Sequence, residues 1–169
     1  MSAVTVGVVM GSASDLPVME KTGAMLAKLE IPHEMRVISA HRTPHEAAEY
    51  ATAAADRGIQ VLIAGAGGSA ALAGTLAAHT NLPVIGIPVD ASTLSGVDAL
   101  YSCAQMPPGF PVATVAIGEW GAMNSALLAA RILSLGDEAL AARLAEYREG
   151  MAEKTRKADR ELQAKAGNA

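Results

Sequence analysis

Aromatic side chains are scarce in this chain: one Trp, one Phe and three Tyr among 169 residues. Proteins that read RNA or single-stranded DNA stack bases on aromatic platforms, so that class is not expected here. Basic charge is short as well. Thirteen Lys and Arg against 17 Asp and Glu give a net charge of −4, which offers no positive surface to a nucleic-acid backbone. Small anions stay open as ligands, because backbone dipoles at helix starts bind phosphate even on acidic proteins. Cys103 is the only cysteine, so no intrachain disulfide forms, and this fits a reducing cytosol. Gly, Pro or polar residues interrupt every apolar run before it reaches membrane-spanning length. The first residues lead into a strand without the basic start and cleavage pattern of a secretory signal. Internal repeats, low-complexity tracts and interdomain linkers are lacking too. The expectation is a single domain over residues 1–169, soluble and cytoplasmic, with no nucleic-acid or membrane partner.

Hydrophobic residues make up 51% of the chain, mostly Ala, Val, Leu and Ile, and their spacing alternates between strand and helix. Strands are expected at Val4–Met10, His33–Ile38, Gln60–Ala64, Val84–Val89 and Val112–Ile117. Helical patterns fall between them: about Leu16–Leu29, Thr43 to a C-cap at Arg57-Gly58, and an Ala-rich stretch ending near His79. A short helix near Gly96–Cys103 and another over about Ala122–Leu135 complete the alternation. From about 137 to 165 a long amphipathic helix carries Leu140, Leu144, Tyr147 and Met151 on one stripe, expected to pack against another subunit. Strands that read as continuous apolar runs between helices imply a parallel sheet covered on both faces.

Chemistry concentrates in Ser39-Ala40-His41-Arg42-Thr43-Pro44. An imidazole exchanges protons near neutral pH, a guanidinium clamps phosphate or carboxylate, and Ser39 donates a hydrogen bond. Thr43 reads as an N-cap, Pro44 as the first helical residue, and Glu46 as the partner in a capping box. Gly11-Ser12-Ala13-Ser14-Asp15 also joins a strand to a helix. It suits either a phosphate or a tight turn capped by Ser14 or Asp15. Gly65-Ala66-Gly67-Gly68-Ser69-Ala70 matches the dinucleotide fingerprint, with Asp90 near the place of its ribose-binding acid, although it follows the third strand rather than the first. His41 and His45 have the spacing of zinc ligands, but His41 precedes the helix and no third ligand is apparent, so no metal is expected. Loops at the carboxyl ends of parallel strands meet in one crevice, and these three are expected to do so.

Taken together these stretches, with Leu94-Ser95-Gly96-Val97-Asp98, Gln105-Met106-Pro107-Pro108-Gly109 and Asn124–Ala129, resemble the PurE family of purine biosynthesis over nearly the whole chain. The resemblance implies a flavodoxin-like three-layer sandwich and a homo-octamer. Class I members are N5-carboxyaminoimidazole ribonucleotide mutases that need no ATP, metal or organic cofactor, whereas class II members carboxylate aminoimidazole ribonucleotide with CO2. Arg42 before Thr43-Pro44, and Gln105 before Met106-Pro107, look like class I. By the same resemblance His41 matches the catalytic histidine. Ser12, Asp15 and Arg42 match ribonucleotide-binding positions, and Ser14, Ser39 and Gly67 match further pocket positions. Ala71 and Ala73 stand where many class I members have a His and a Pro, and Trp120 takes a position usually small. Two other readings compete with the mutase: a dinucleotide-dependent oxidoreductase, from the Gly65 loop and Asp90, and a non-enzymatic nucleotide-binding module.

Overall fold

The computed structural model describes residues 4–166 and forms two compact units, one running to Ala130 and one starting at Arg131. In the first unit, β1 (Val6–Met10), β2 (His33–Val37), β3 (Val61–Gly67), β4 (Val84–Val89) and β5 (Ala113–Thr114) form one sheet. All its pairings are parallel and the order is β2-β1-β3-β4-β5. Every residue of β1 and β4 is buried, as the unbroken apolar runs require of strands covered on both faces. β2 lies at an edge and is only half-buried.

Helices cover both faces. On one, α2 (Pro44–Ala53), α3 (Leu72–Ala77) and α4 (Val97–Ala104) pack Ala47, Ala51, Leu72, Leu76 and Ala99 against Val9, Leu62 and Ala64. On the other, α1 (Leu16–Lys28) meets α5 (Gly118–Leu133), where the buried Thr22 hydroxyl donates to the Ala122 carbonyl at 3.0 Å. Met19 of α1 fills the space that a side chain at Gly65 would need. This is the flavodoxin-like three-layer arrangement.

Several boundaries differ from expectation, among them the end of α2 at Ala53, with a 3-10 turn over Ala55–Arg57 before Gly58. β5 pairs over Ala113 and Thr114 only, and a last backbone bond from the Val115 N–H to the Gly86 carbonyl at 3.1 Å ends the ladder short of the expected limit at Ile117. α5 begins four residues earlier than its apolar pattern suggests: Gly121, lacking a Cβ, lets the first turn fold back onto the Ala116 carbonyl. β3 continues through the Gly-rich stretch to Gly67. In the second unit α6 (Glu138–Ala166) is one long helix. Its Leu140 and Leu144 are buried, Met151 is exposed, and Glu153 pairs with Arg156 and Arg160 along the solvated side. No helix among the described residues is long and apolar enough to cross a membrane.

Candidate active site

The chain runs from β1 outward to β2 and then returns to the other side of β1 for β3. This reversal opens a crevice beyond the carboxyl ends of the strands. Two backbone bonds continue the strands to its edge, Gly11 N–H to the Gly65 carbonyl at 3.0 Å and Ile38 N–H to the Met10 carbonyl at 2.9 Å. The crevice holds about 350 Å³ and is lined by Ser12, Ser14, Asp15, Ser39, His41, Arg42 and Gly67, all seven residues singled out above.

The first wall is a turn that caps itself. Ser12 caps the opening 3-10 turn, and Asp15 supplies the other half of a capping box by accepting from the Ser12 N–H at 3.1 Å. Of the two expected caps, Asp15 takes the N-cap position of α1 without a side-chain cap bond, and Ser14 takes neither place. The Ser12 hydroxyl oxygen accepts from the Ser14 N–H at 3.3 Å and lies 2.8 Å from the Ser14 hydroxyl, which is also 3.4 Å from the Asp15 carboxylate. Asp15 is only 4% exposed. Burial lifts its carboxyl above the ordinary aspartate range, against the opposing pull of its bonds from Ser12 and Ser14 and the Arg42 charge.

The second wall is the loop from Ser39 to Thr43. Arg42 Nη2 donates to the Gly11 carbonyl at 3.0 Å and Nε to the Ser39 hydroxyl at 3.4 Å, so the guanidinium bridges the two loops. Its Nη1 has no partner among the described residues and is free for an anion. His41 is exposed at the crevice, and its imidazole has no partner among the described residues. Thr43 departs from expectation. It precedes Pro44 at the helix start, but its side chain makes no capping bond and no box forms with Glu46. The hydroxyl is engaged with the Ser39 backbone instead.

The third wall has almost no side chain. Ala66, Gly67, Gly68, Ala70, Ala71 and Ala91 line it, with Leu72 as the one longer side chain. A Cβ on Gly67 would collide with Ala91, so the glycine is what admits the segment after β4. The turn from Gly67 to Ala70 closes by a 3.1 Å backbone bond with φ positive at both Gly68 and Ala70, and Ser102 of α4 holds it from behind by donating to the Ser69 carbonyl. The dinucleotide fingerprint fails here on geometry: Gly65 and Gly67 are strand residues, and α3 is a helix of six residues.

Sequence reasoning did not find Ala91 or the bond from Arg42 to the Gly11 carbonyl. Neither Ala91 nor that carbonyl offers a functional side chain as a signal; only a tertiary contact brings each to the crevice. Of the departures noted above, Ala71 lines the crevice, Ala73 is buried in the core against Gly86, and Trp120 is exposed on α5 away from the lining.

The AIR carboxylase family model matches residues 5–154. The chain is 53% identical to the N5-carboxyaminoimidazole ribonucleotide mutase of Vibrio vulnificus over 85% of its own length and 89% of that protein. It is 55% identical to the mutase of the same name from Pyrococcus abyssi (86% and 83% covered). It is 52% identical to that of Mycobacterium tuberculosis (96% and 92% covered). Among solved structures, the crystal structure of Treponema denticola PurE superposes with a TM-score of 0.84 at 34% identity, covering 94% of this chain and 98% of that one. A parallel sheet of this order, a crevice at its reversal point and sequence identity along nearly the whole length agree: the chain belongs to the AIR carboxylase family.

Proposed function

We propose that this chain is an N5-carboxyaminoimidazole ribonucleotide mutase of de novo purine biosynthesis, moving the carboxyl group from the exocyclic nitrogen to C4 to give 4-carboxy-5-aminoimidazole ribonucleotide. The observation that carries the reading is the crevice itself: an anion-ready wall of Ser12 and Arg42, an unpartnered imidazole at His41, and a third wall mostly of Gly and Ala. Identities of 52–55% to proteins named as N5-carboxyaminoimidazole ribonucleotide mutases support the choice.

The chemistry asks for little beyond these groups. The carbamate N–C bond breaks to release CO2, and the nitrogen takes up a proton. C4 of the electron-rich aminoimidazole then attacks the CO2 carbon, and the C4 proton leaves to restore the ring. One proton is gained and one lost, with no change of oxidation state, so no redox cofactor or ATP is required. His41 is the group for both proton transfers, first as acid and then as base. Ser12, Ser14, Asp15, Arg42 and Ser39 bind the ribonucleotide, with the phosphate on Ser12 and Arg42. Gly67 and its neighbours leave room for CO2 against the backbone, where confinement holds it near C4.

The same proposal includes a cytoplasmic homo-octamer, with residues 1–169 as one working domain and α6 in contacts between copies. The assembly reading is supported by large apolar side chains left exposed on this chain: Tyr101 on α4 at 62%, Trp120 on α5 at 75%, and Met151 and Leu162 on α6 at 54% and 64%. The test offers purified protein each candidate substrate. Formation of 4-carboxy-5-aminoimidazole ribonucleotide from N5-carboxyaminoimidazole ribonucleotide, without added bicarbonate or ATP, is expected. Product formed only from aminoimidazole ribonucleotide and CO2 would make the protein a direct carboxylase. Saturable NADH binding without ribonucleotide binding would make it an oxidoreductase.

A further inference from the structure

We propose that Thr43 is a positioning residue for His41, acting as a clasp that closes the loop carrying the imidazole; this rests on the mutase reading above. The Thr43 hydroxyl donates to the Ser39 carbonyl at 3.1 Å and accepts from the Ser39 N–H at 3.0 Å, while the Thr43 N–H donates to the same carbonyl at 2.8 Å. One residue thus engages both backbone groups of the other, and the segment between them, Ala40-His41-Arg42, is pinned at its two ends. The hydroxyl has no second task. It does not cap α2, whose first bond, Ala47 N–H to the Thr43 carbonyl at 3.1 Å, is made by backbone alone.

The two functional side chains on the loop depend on this clasp unequally. Arg42 has anchors of its own, to the Gly11 carbonyl, and through its N–H and Nε to the Ser39 hydroxyl. His41 has none, so its imidazole stands where the loop backbone puts it. Loosening the clasp therefore releases the proton-transfer group while leaving the guanidinium held. The expected signature is a fall in kcat with KM little changed. A smaller folded fraction would lower apparent kcat in the same way, so turnover is referred to the concentration of folded sites, and the serine variant shows whether the hydroxyl restores it.

The experiment compares wild type, Thr43→Val, which removes the hydroxyl at nearly constant shape, and Thr43→Ser, which restores it. Two readouts are taken: steady-state carboxyl transfer, and hydrogen exchange at the Ser39 amide, whose acceptor among the described residues is the Thr43 hydroxyl. Thr43→Val should lower kcat roughly 10–100-fold, the scale of a misplacement near 1 Å, with KM within about 3-fold. Its Ser39 amide should exchange at least about 10-fold faster. Thr43→Ser should recover both to within about 3-fold of wild type. If the Val protein does not fold, Thr43→Ala takes its place, since it also lacks the hydroxyl without the second branch. Unchanged kcat in the hydroxyl-free protein overturns the proposal. So does a Ser variant as slow as the Val one, or a Ser39 amide equally protected in all three. An inactive wild-type protein whose Ser39 amide still responds to substitution overturns the mutase reading and leaves the clasp standing.

Discussion

His41 is the exposed imidazole of the crevice, and it makes no bond that a fold would miss. His41→Asn should therefore fold normally and bind ribonucleotide with little loss, since the phosphate contacts are assigned to Ser12 and Arg42. Carboxyl transfer should fall roughly 10²–10⁴-fold, the usual worth of a general acid or base. Paired calorimetric affinity and turnover measurements check this, and near-normal turnover would refute the proton-transfer role. Arg42 is a different kind of residue, built into both walls through the Gly11 carbonyl and the Ser39 hydroxyl. Arg42→Lys keeps the charge but loses the planar fork, so ribonucleotide binding should weaken by roughly 1–3 kcal/mol. Titration of the Lys variant with unchanged affinity would remove Arg42 from the site. At this scale the sequence was informative wherever a side chain carried its own chemistry. It was silent on Ala91 and the Gly11 carbonyl, and on Thr43 it gave the N-cap position but not the partner of the hydroxyl. That hydroxyl serves the backbone of Ser39, a partner four residues back that a capping pattern does not consider.

Among the elements, periodicity located every strand and helix, and the runs at Val84–Val89 and from Leu16 had the clearest limits. It did least well where a glycine changed the geometry. Gly121 let α5 start early, and Gly65 belongs to a strand because Met19 occupies its missing side chain, not because a cofactor does. β2 illustrates how an edge element is tied down. Arg57, just after α2, donates to Glu34 at 2.5 Å, and the Tyr50 hydroxyl donates to the same oxygen at 2.9 Å. Burial would raise the Glu34 carboxyl. The bonds from Arg57 and Tyr50, with the Arg57 and Arg36 charges, outweigh it and hold the group below its ordinary 4.5. A depressed carboxylate stabilises the fold above that ordinary value, and the contribution disappears as pH falls through the lowered one. Glu34→Gln should thus cost less than about 1 kcal/mol at neutral pH, the range of a partly exposed pair. The gap between variant and wild type should close in acid. Urea melts at several pH values measure it, and a constant gap from pH 7 to acid would assign the loss to packing.

For the whole molecule, the strand order matters more than any single motif. Because β1 sits between β2 and β3, the loops after those three strands meet at the reversal point, and a set of residues spread from Ser12 to Ala91 becomes one crevice of about 350 Å³. Alternation of strands and helices made the parallel sheet legible in advance. The way Gly67 admits Ala91 was not, because it depends on how closely two strand ends approach. In the proposed function the three walls divide the work: Ser12 and Arg42 would bind the anion, His41 would move protons, and the Gly67–Ala71 turn would leave room for CO2. The central claim is that the carboxyl carbon stays in this crevice between leaving nitrogen and reaching C4. N5-carboxyaminoimidazole ribonucleotide labelled with 13C in its carboxyl group, turned over in unlabelled bicarbonate, tests it most directly. The account predicts that the 4-carboxy product keeps most of the label; product carrying mainly unlabelled carbon from solution would contradict it.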